Sequence, residues 1–159
     1  MDMIEVKIVN STDLQKIRFE VLWPHLNSEN EAVIDIDFST GSLHLAGILD
    51  GEVVGVASLF VQACDRYPLM FRGKRVYRLR AMGVKTDLQK SGIGAAIINE
   101  ASSLCSERGF DVIWCDARIV ALGFYSRMGF DFACDSEGNE CDAYQVRNIG
   151  LHKMMYKYI

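Results

Sequence analysis

No apolar run in this chain approaches the ~18 residues that a membrane span needs, so a membrane role is not expected. The opening stretch, MDMIEVKIVNSTD, carries acids and lacks a basic-then-apolar signal pattern, so secretion is not expected either. An excess of basic charge is also missing. Seventeen Lys and Arg against twenty-one Asp and Glu leave a net charge of -4, which argues against the broad basic face of a nucleic-acid binder. That balance leaves room for a local basic pocket for a small anion. The five cysteines, Cys64, Cys105, Cys115, Cys134 and Cys141, form no CxxC pair. An odd number at such spacings disfavours a disulfide scaffold or a zinc site and fits reduced thiols in a cytoplasmic protein. Low-complexity segments, linkers and internal repeats are absent, as are GxxxxGK[ST] and GxGxxG, so neither a P-loop nor a full dinucleotide fingerprint is supported.

What is present is a chain of 159 residues, half of them hydrophobic, with a mean hydropathy near zero. That is enough for one domain, residues 1–159, with a real core. Met3–Val9 reads as a strand. Ser11 or Thr12 can cap a following helix, which Pro24 ends at Trp23 or earlier. Asn27–Thr40 is acidic and irregular. Leu43–Leu49 and Glu52–Val61 flank Asp50-Gly51, a hairpin signal because both residues tolerate positive φ. Gln62–Lys74 is a loop whose tip, Tyr67–Phe71, is partly apolar. Arg75–Val84 is a strand. From Gly92 to about Arg108 the spacing of Ile93, Ile97, Ala101 and Leu104 predicts the strongest helix, with Gly109 as its stop. Asp111–Cys115 is a short buried strand, Val120–Met128 a second amphipathic helix, and Phe130–Cys134 another strand. A last strand or pair of strands begins near Tyr144. The order predicts a mixed α/β fold rather than a repeated β-α wind.

Between the Arg75–Val84 strand and the helix at Gly92 lies Gln89-Lys90-Ser91-Gly92-Ile93-Gly94. A helix N-terminus has unpaired N–H groups and a partial positive charge, both of which a phosphate satisfies. Gly92 and Gly94 let a diphosphate approach the backbone, Lys90 adds charge and Ser91 a hydroxyl. Two glycines alone also fit an ordinary turn.

The order Gln-x-x-Gly-x-Gly resembles the acetyl-CoA signature of the GCN5-related N-acetyltransferase (GNAT) superfamily. Ala121-x-x-Phe124-Tyr125-x-x-Met128-Gly129-Phe130 is similar to a second segment of that family, at the expected separation and in the expected strand–helix context. Shorter pieces, Val21–His25, Leu43–Gly47, Tyr77–Met82 and Ile149–His152, resemble a bacterial subgroup whose members are mostly functionally unassigned. The resemblance implies a GNAT fold: a twisted, mostly antiparallel sheet of six to seven strands, splayed at a cofactor slot and flanked by about four helices. It implies an acetyl-CoA-dependent N-acetyltransferase acting by direct attack on a small-molecule or peptide amine, with a homodimer as a family-level expectation. A non-catalytic acyl-CoA-binding or sensing module on the same fold is the alternative.

Carried residue by residue, the resemblance places coenzyme A pyrophosphate on the backbone of Gln89, Lys90, Ser91, Gly92, Ile93, Gly94 and Ala95. It places the pantetheine along Met82, Gly83 and Val84, with an N–H at or near Met82 polarising the thioester carbonyl. Phe124 adjoins the cofactor while also fitting a core position, and Arg127 could reach a phosphate. Tyr125 would protonate the departing thiolate, although its place on the second helix also fits a core tyrosine.

Three histidines, His25, His44 and His152, are candidate general bases, and each equally fits a surface or hydrogen-bonded structural position. His44 and His152 lie on strands expected to flank the acceptor, with His152 preferred; a water relay to Asp116 or Glu20 is another route. Cys115 sits in a buried-strand pattern and reads as a structural thiol. Arg78 and Arg80 share a strand face. Turned inward, they could bind an acceptor carboxylate or phosphate, which would favour an amino acid or another anionic amine; turned outward, they would simply be solvated.

Overall fold

Leu43–Leu49 and Glu52–Val61 form the hairpin strands β2 and β3 in the computed structural model, which describes residues 3–159. Asp50 and Gly51 take φ of 51° and 78°, as a two-residue hairpin turn requires. Strand β1 (Glu5–Ile8) pairs antiparallel with β2, and β4 (Val76–Val84) antiparallel with β3. β4 runs parallel to β5 (Val112–Arg118). β6 (Asp131–Phe132) and β7 (Tyr144–Val146) both pair with β8 (Gly150–Tyr158), which lies antiparallel to β5. The sheet order is β1-β2-β3-β4-β5-β8-β6.

The helices are α1 (Gln15–Ile17), α2 (Ile93–Glu107) and α3 (Leu122–Arg127). The mixed α/β, mostly antiparallel sheet is as expected, but with eight strands and three helices among the described residues.

On one face, Ile93, Ile97 and Ala101 of α2 pack over Leu45, Ala57 and Leu79. α2 sits close to the sheet because β3 carries a glycine beneath it. A Cβ on Gly55 would lie 2.8 Å from Ile93 Cγ2 and 2.9 Å from Ile97 Cδ1. On the other face, Leu14 and Ile17 cover Ala46 and Val56.

Beside them is a buried polar network that the sequence pattern does not announce. Arg18 donates to both oxygens of Asp37, at 2.8 and 2.9 Å, and to Ser58 Oγ at 2.8 Å. Both Arg18 and Asp37 are almost fully buried.

Two irregularities in β4 open and shape one side of the sheet. The β4–β5 register runs from Val76↔Val112 to Leu79↔Cys115 and stops there, although both strands continue. The strands splay beyond that point. On the other side of β4, Val56 pairs with Gly83 and Ser58 with Arg80, so Ala81 and Met82 oppose Ala57 alone. This is a β-bulge, and Ala81 takes a positive φ of 52° within it.

Several boundaries differ from the sequence pattern. The first helical segment starts as a 3-10 turn at Ser11–Leu14 with Asn10 as N-cap, not Ser11 or Thr12; the Asp13 carboxylate accepts from the Asn10 N–H at 3.3 Å. It continues through α1 into a π-type turn, Arg18–Leu22, and ends before Pro24 as expected. β5 extends three residues past Cys115, because Asp116 and Arg118 face a cavity and so carry polar side chains. The loop tip folds back on its own core: Tyr67, Met70 and Phe71 pack around Trp114 and Met154.

Candidate functional site

The splay between β4 and β5 opens a cavity of about 220 Å³. β4 contributes Arg78, Arg80 and Met82; β5 contributes Asp116 and Arg118; Tyr125 comes from α3 and His152 from β8. Leu22 and Trp23, at the end of the π-type turn, close one wall. Arg78 and Arg80 therefore both face inward.

Arg78 is held firmly. It donates to Asp116 Oδ2 at 2.7 Å and to Gln62 Oε1 at 3.1 Å, and its guanidinium lies 4.7 Å over the Trp114 ring. The other Asp116 oxygen accepts from both Arg66 and the Tyr144 hydroxyl. Burial, and then the bond to Asp116, push the Tyr144 phenol far up, so it remains a donor. Both Asp116 oxygens are thus committed, which removes the free carboxylate that a water relay through Asp116 needs. Glu20 is exposed and does not line the cavity.

The histidines separate. His152 is nearly buried, and its Nδ1 lies 2.9 Å from the Gly150 carbonyl oxygen. A carbonyl only accepts, so Nδ1 carries the proton and Nε2 has the free lone pair of the neutral ring. The Tyr144 ring stacks on it at 6.4 Å. His44 has no such freedom. Its Nδ1 is 2.8 Å from Ser58 Oγ and its Nε2 is 2.8 Å from the Asp37 carbonyl oxygen. It is buried inside the Arg18–Asp37 network and does not line the cavity. The reading of His44 as a general base is corrected to a structural role. His25 is exposed and also outside the cavity.

Tyr125 lies in the wall, and its hydroxyl points to Met82 Sδ at 3.7 Å. Burial pushes the phenol well above its ordinary value, Cys115 adds to the shift and Arg118 opposes it, so the hydroxyl stays protonated at neutral pH. Burial likewise pushes the Cys115 thiol far up, which leaves it protonated and a poor nucleophile, in keeping with a structural thiol.

The glycine turn leads from β4 to α2. Gly92 is the N-cap of α2 with φ of 92°, and Lys90 also has positive φ, 66°. The first helical backbone bond runs from the Ala96 N–H to the Gly92 oxygen at 3.0 Å. None of the N–H groups from Lys90 to Ala95 has a backbone acceptor among the described residues. A row of free donors at the positive end of a fifteen-residue helix fits a diphosphate. The Gln89 amide donates to the Val84 oxygen at 3.2 Å and ties the turn to the end of β4. Ser91 Oγ is turned back onto the Leu88 oxygen. Phe124 packs on the first turn of α2, where a Cβ on Gly94 would meet its ring at 3.1 Å. Arg127 is exposed and outside the cavity.

A family model described as the acetyltransferase (GNAT) family matches residues 10–130. The chain belongs to that family. It is 31% identical over 155 residues to an uncharacterized N-acetyltransferase of Bacillus subtilis strain 168, YitI, covering 98% of this chain and 96% of the relative. Among solved structures, it superposes on Escherichia coli ElaA with a TM-score of 0.71 at 16% identity, covering 98% and 99% of the two chains. It also superposes on an aminoglycoside 6'-N-acetyltransferase complexed with coenzyme A, with a TM-score of 0.72 at 14% identity, covering 97% and 96%. At such identities these likenesses speak for the GNAT fold.

Arg118, Arg66, Tyr144 and Trp23 were not singled out from the sequence. Arg118 is the one with a local signal, since it lies three residues before the Ala121 that opens the second GNAT segment.

Proposed function

We propose that this GNAT-family protein is an acetyl-CoA-dependent N-acetyltransferase acting on a compact amine. The observation that carries this reading is continuity. The free N–H row at Lys90–Ala95, the unpaired edge of β4 beyond Leu79, and the cavity holding Tyr125 and His152 lie along one path.

Acetyl-CoA supplies an acetyl group activated as a thioester. The Lys90–Ala95 donors hold its pyrophosphate, and the splayed edge of β4 offers Met82–Val84 backbone groups to the pantetheine amides, as an edge does to an added strand. The bulge at Ala81–Met82 turns the local backbone out of ladder register, which presents the Met82 N–H to the thioester carbonyl. His152 Nε2 takes the proton of the attacking amine. Tyr125 gives its proton to the departing sulfur. The cavity is below the roughly 300 Å³ where drug-sized ligand sites begin, which favours a small acceptor.

The test is titration calorimetry of acetyl-CoA into the wild type and into Ala95→Glu. Ala95 is the third residue of α2 counted from its cap. A Glu there suits the helix N-terminus and preserves folding, yet repels a diphosphate. Micromolar binding weakened at least tenfold by A95E, together with thiol release on addition of an amine, supports the reading. No binding by the folded wild type overturns it. Binding without turnover of any amine would instead fit a non-catalytic acyl-CoA-binding module.

A further inference from the structure

The cavity holds three arginines, Arg78, Arg80 and Arg118, but only one carboxylate, Asp116. Arg78 has taken that carboxylate, and Arg66 from the neighbouring loop has taken its other oxygen. Arg118 reaches only a backbone oxygen, that of Leu22, at 3.3 Å. The Arg80 side chain makes no hydrogen bond or ion pair with any described residue. It is partly buried in the cavity wall. Burial and the adjacent Arg78 disfavour its charge, and the more distant carboxylates of Asp35, Asp116 and Asp37 offset this only in part. A guanidinium does not release its proton to escape this cost, so it stays charged and unpartnered. An arriving anion would repay the desolvation already incurred.

The cofactor cannot be that anion. Its charge lies in its phosphates, for which the free donors are at the N-terminus of α2, and its acyl end is neutral. The anion must arrive with the acceptor. Arg80 precedes Met82 by two residues, roughly 7 Å along a strand. A carboxylate bound at Arg80 therefore leaves an amine one or two bonds away near the thioester position, within the same small cavity as His152.

We infer that Arg80, assisted by Arg118 across the splay, is the carboxylate clamp of the acceptor, and that the acceptor is an α-amino acid or a closely similar amino carboxylate. The inference rests on the acetyltransferase reading and narrows it. Arg78 is excluded from the clamp because Asp116, Gln62 and Trp114 hold it. Its task is to fix Asp116 and the cavity floor.

The experiment measures CoA thiol release with acetyl-CoA and a matched panel: L-amino acids, their α-carboxamides and the corresponding decarboxylated amines. Phosphoethanolamine serves as the phosphate counterpart. The wild type is expected to favour at least one acid over its own amide by tenfold or more in kcat/KM. In Arg80→Gln that acid-to-amide ratio should fall toward one, mainly through a higher KM for the acid. Arg80→Lys, which keeps charge without the planar fork, should fall between. Acetyl-CoA affinity measured on each variant verifies that the cofactor side is folded.

Amides and simple amines acetylated as well as acids, with a ratio unmoved by R80Q, would overturn the clamp and leave the transferase reading standing. A preference for phosphoethanolamine over every acid would overturn the carboxylate assignment. Acetyl-CoA that fails to bind the folded protein, or no thiol release with any member of the panel, would overturn the inference together with the reading beneath it.

Discussion

His44 and His152 are both buried, both on strands and both within hydrogen-bond reach of a backbone carbonyl, yet only one has a free nitrogen and lines the cavity. Sequence pattern could not separate them, because the partners that occupy His44 come from Asp37 and Ser58, seven and fourteen residues away. His152→Gln, which keeps a hydrogen-bonding side chain but cannot take a proton, should reduce kcat with little change in acetyl-CoA affinity. Tyr125→Phe should lower kcat by roughly 10²-fold or more and likewise leave cofactor affinity near wild type, because a positioned proton donor acts in the transition state. Steady-state thiol release beside calorimetry checks both.

Asp37 makes a different prediction. Burial pushes its carboxyl up, but the bonds from Arg18 and the Ile34 N–H, with the nearby charges, outweigh burial and hold it below the ordinary 3.8. As pH falls, the unfolded chain takes up this proton first. The contribution of Asp37 is full above the unfolded value and is lost as pH drops through the folded one. The urea midpoint should decline below about pH 4 for this reason. Asp37→Asn, which leaves Arg18 buried without its counter-charge, should cost about 3–5 kcal/mol at neutral pH. Urea unfolding measures both effects.

At the scale of elements, the hairpin β2–β3 and helix α2 were legible because each is specified by neighbours in the chain: Asp50-Gly51 for the turn, Ile93, Ile97 and Ala101 for the helix face. The first helical segment was less so. Its 3-10, α and π turns follow from fitting Leu14 and Ile17 on one side and Arg18 into the polar network on the other, a tertiary compromise. The tail of β5 was missed because Asp116 and Arg118 are polar, and polar residues end a buried-strand pattern. The contact of α2 on β3 gives a direct test. Gly55→Ala places a methyl against Ile93 and Ile97, at 2.8 and 2.9 Å, and should cost about 1–3 kcal/mol by overpacking, read as a lower urea midpoint. It should also weaken acetyl-CoA binding if α2 is displaced, since the same helix presents the Lys90–Ala95 donors.

At the scale of the whole molecule, β4 runs from the cavity to the glycine turn, so the proposed acceptor site and the proposed cofactor seat share one splayed edge. β4 joins them: its end is tied to the glycine turn by Gln89, and its middle carries Arg78 and Arg80. Occupying the seat should therefore stabilise the whole fold. At acetyl-CoA one hundred times above its dissociation constant the gain is about 2.7 kcal/mol, visible as a rise in Tm that A95E loses at the same ligand concentration.

By itself the sequence determined the family signature, the hairpin, the main helix and a turn whose residue types suit a phosphate, because these depend on spacing within a few residues. Only the tertiary structure decided which arginine is free, which histidine is available and where the cavity opens. Those outcomes turn on pairings between distant segments: Asp116 with Arg66, Arg78 and Tyr144, and His44 with Asp37 and Ser58. A charged side chain in a sequence carries its chemistry with it. Whether that chemistry is spent on a neighbour or left for a ligand is set by what the fold brings within hydrogen-bond reach.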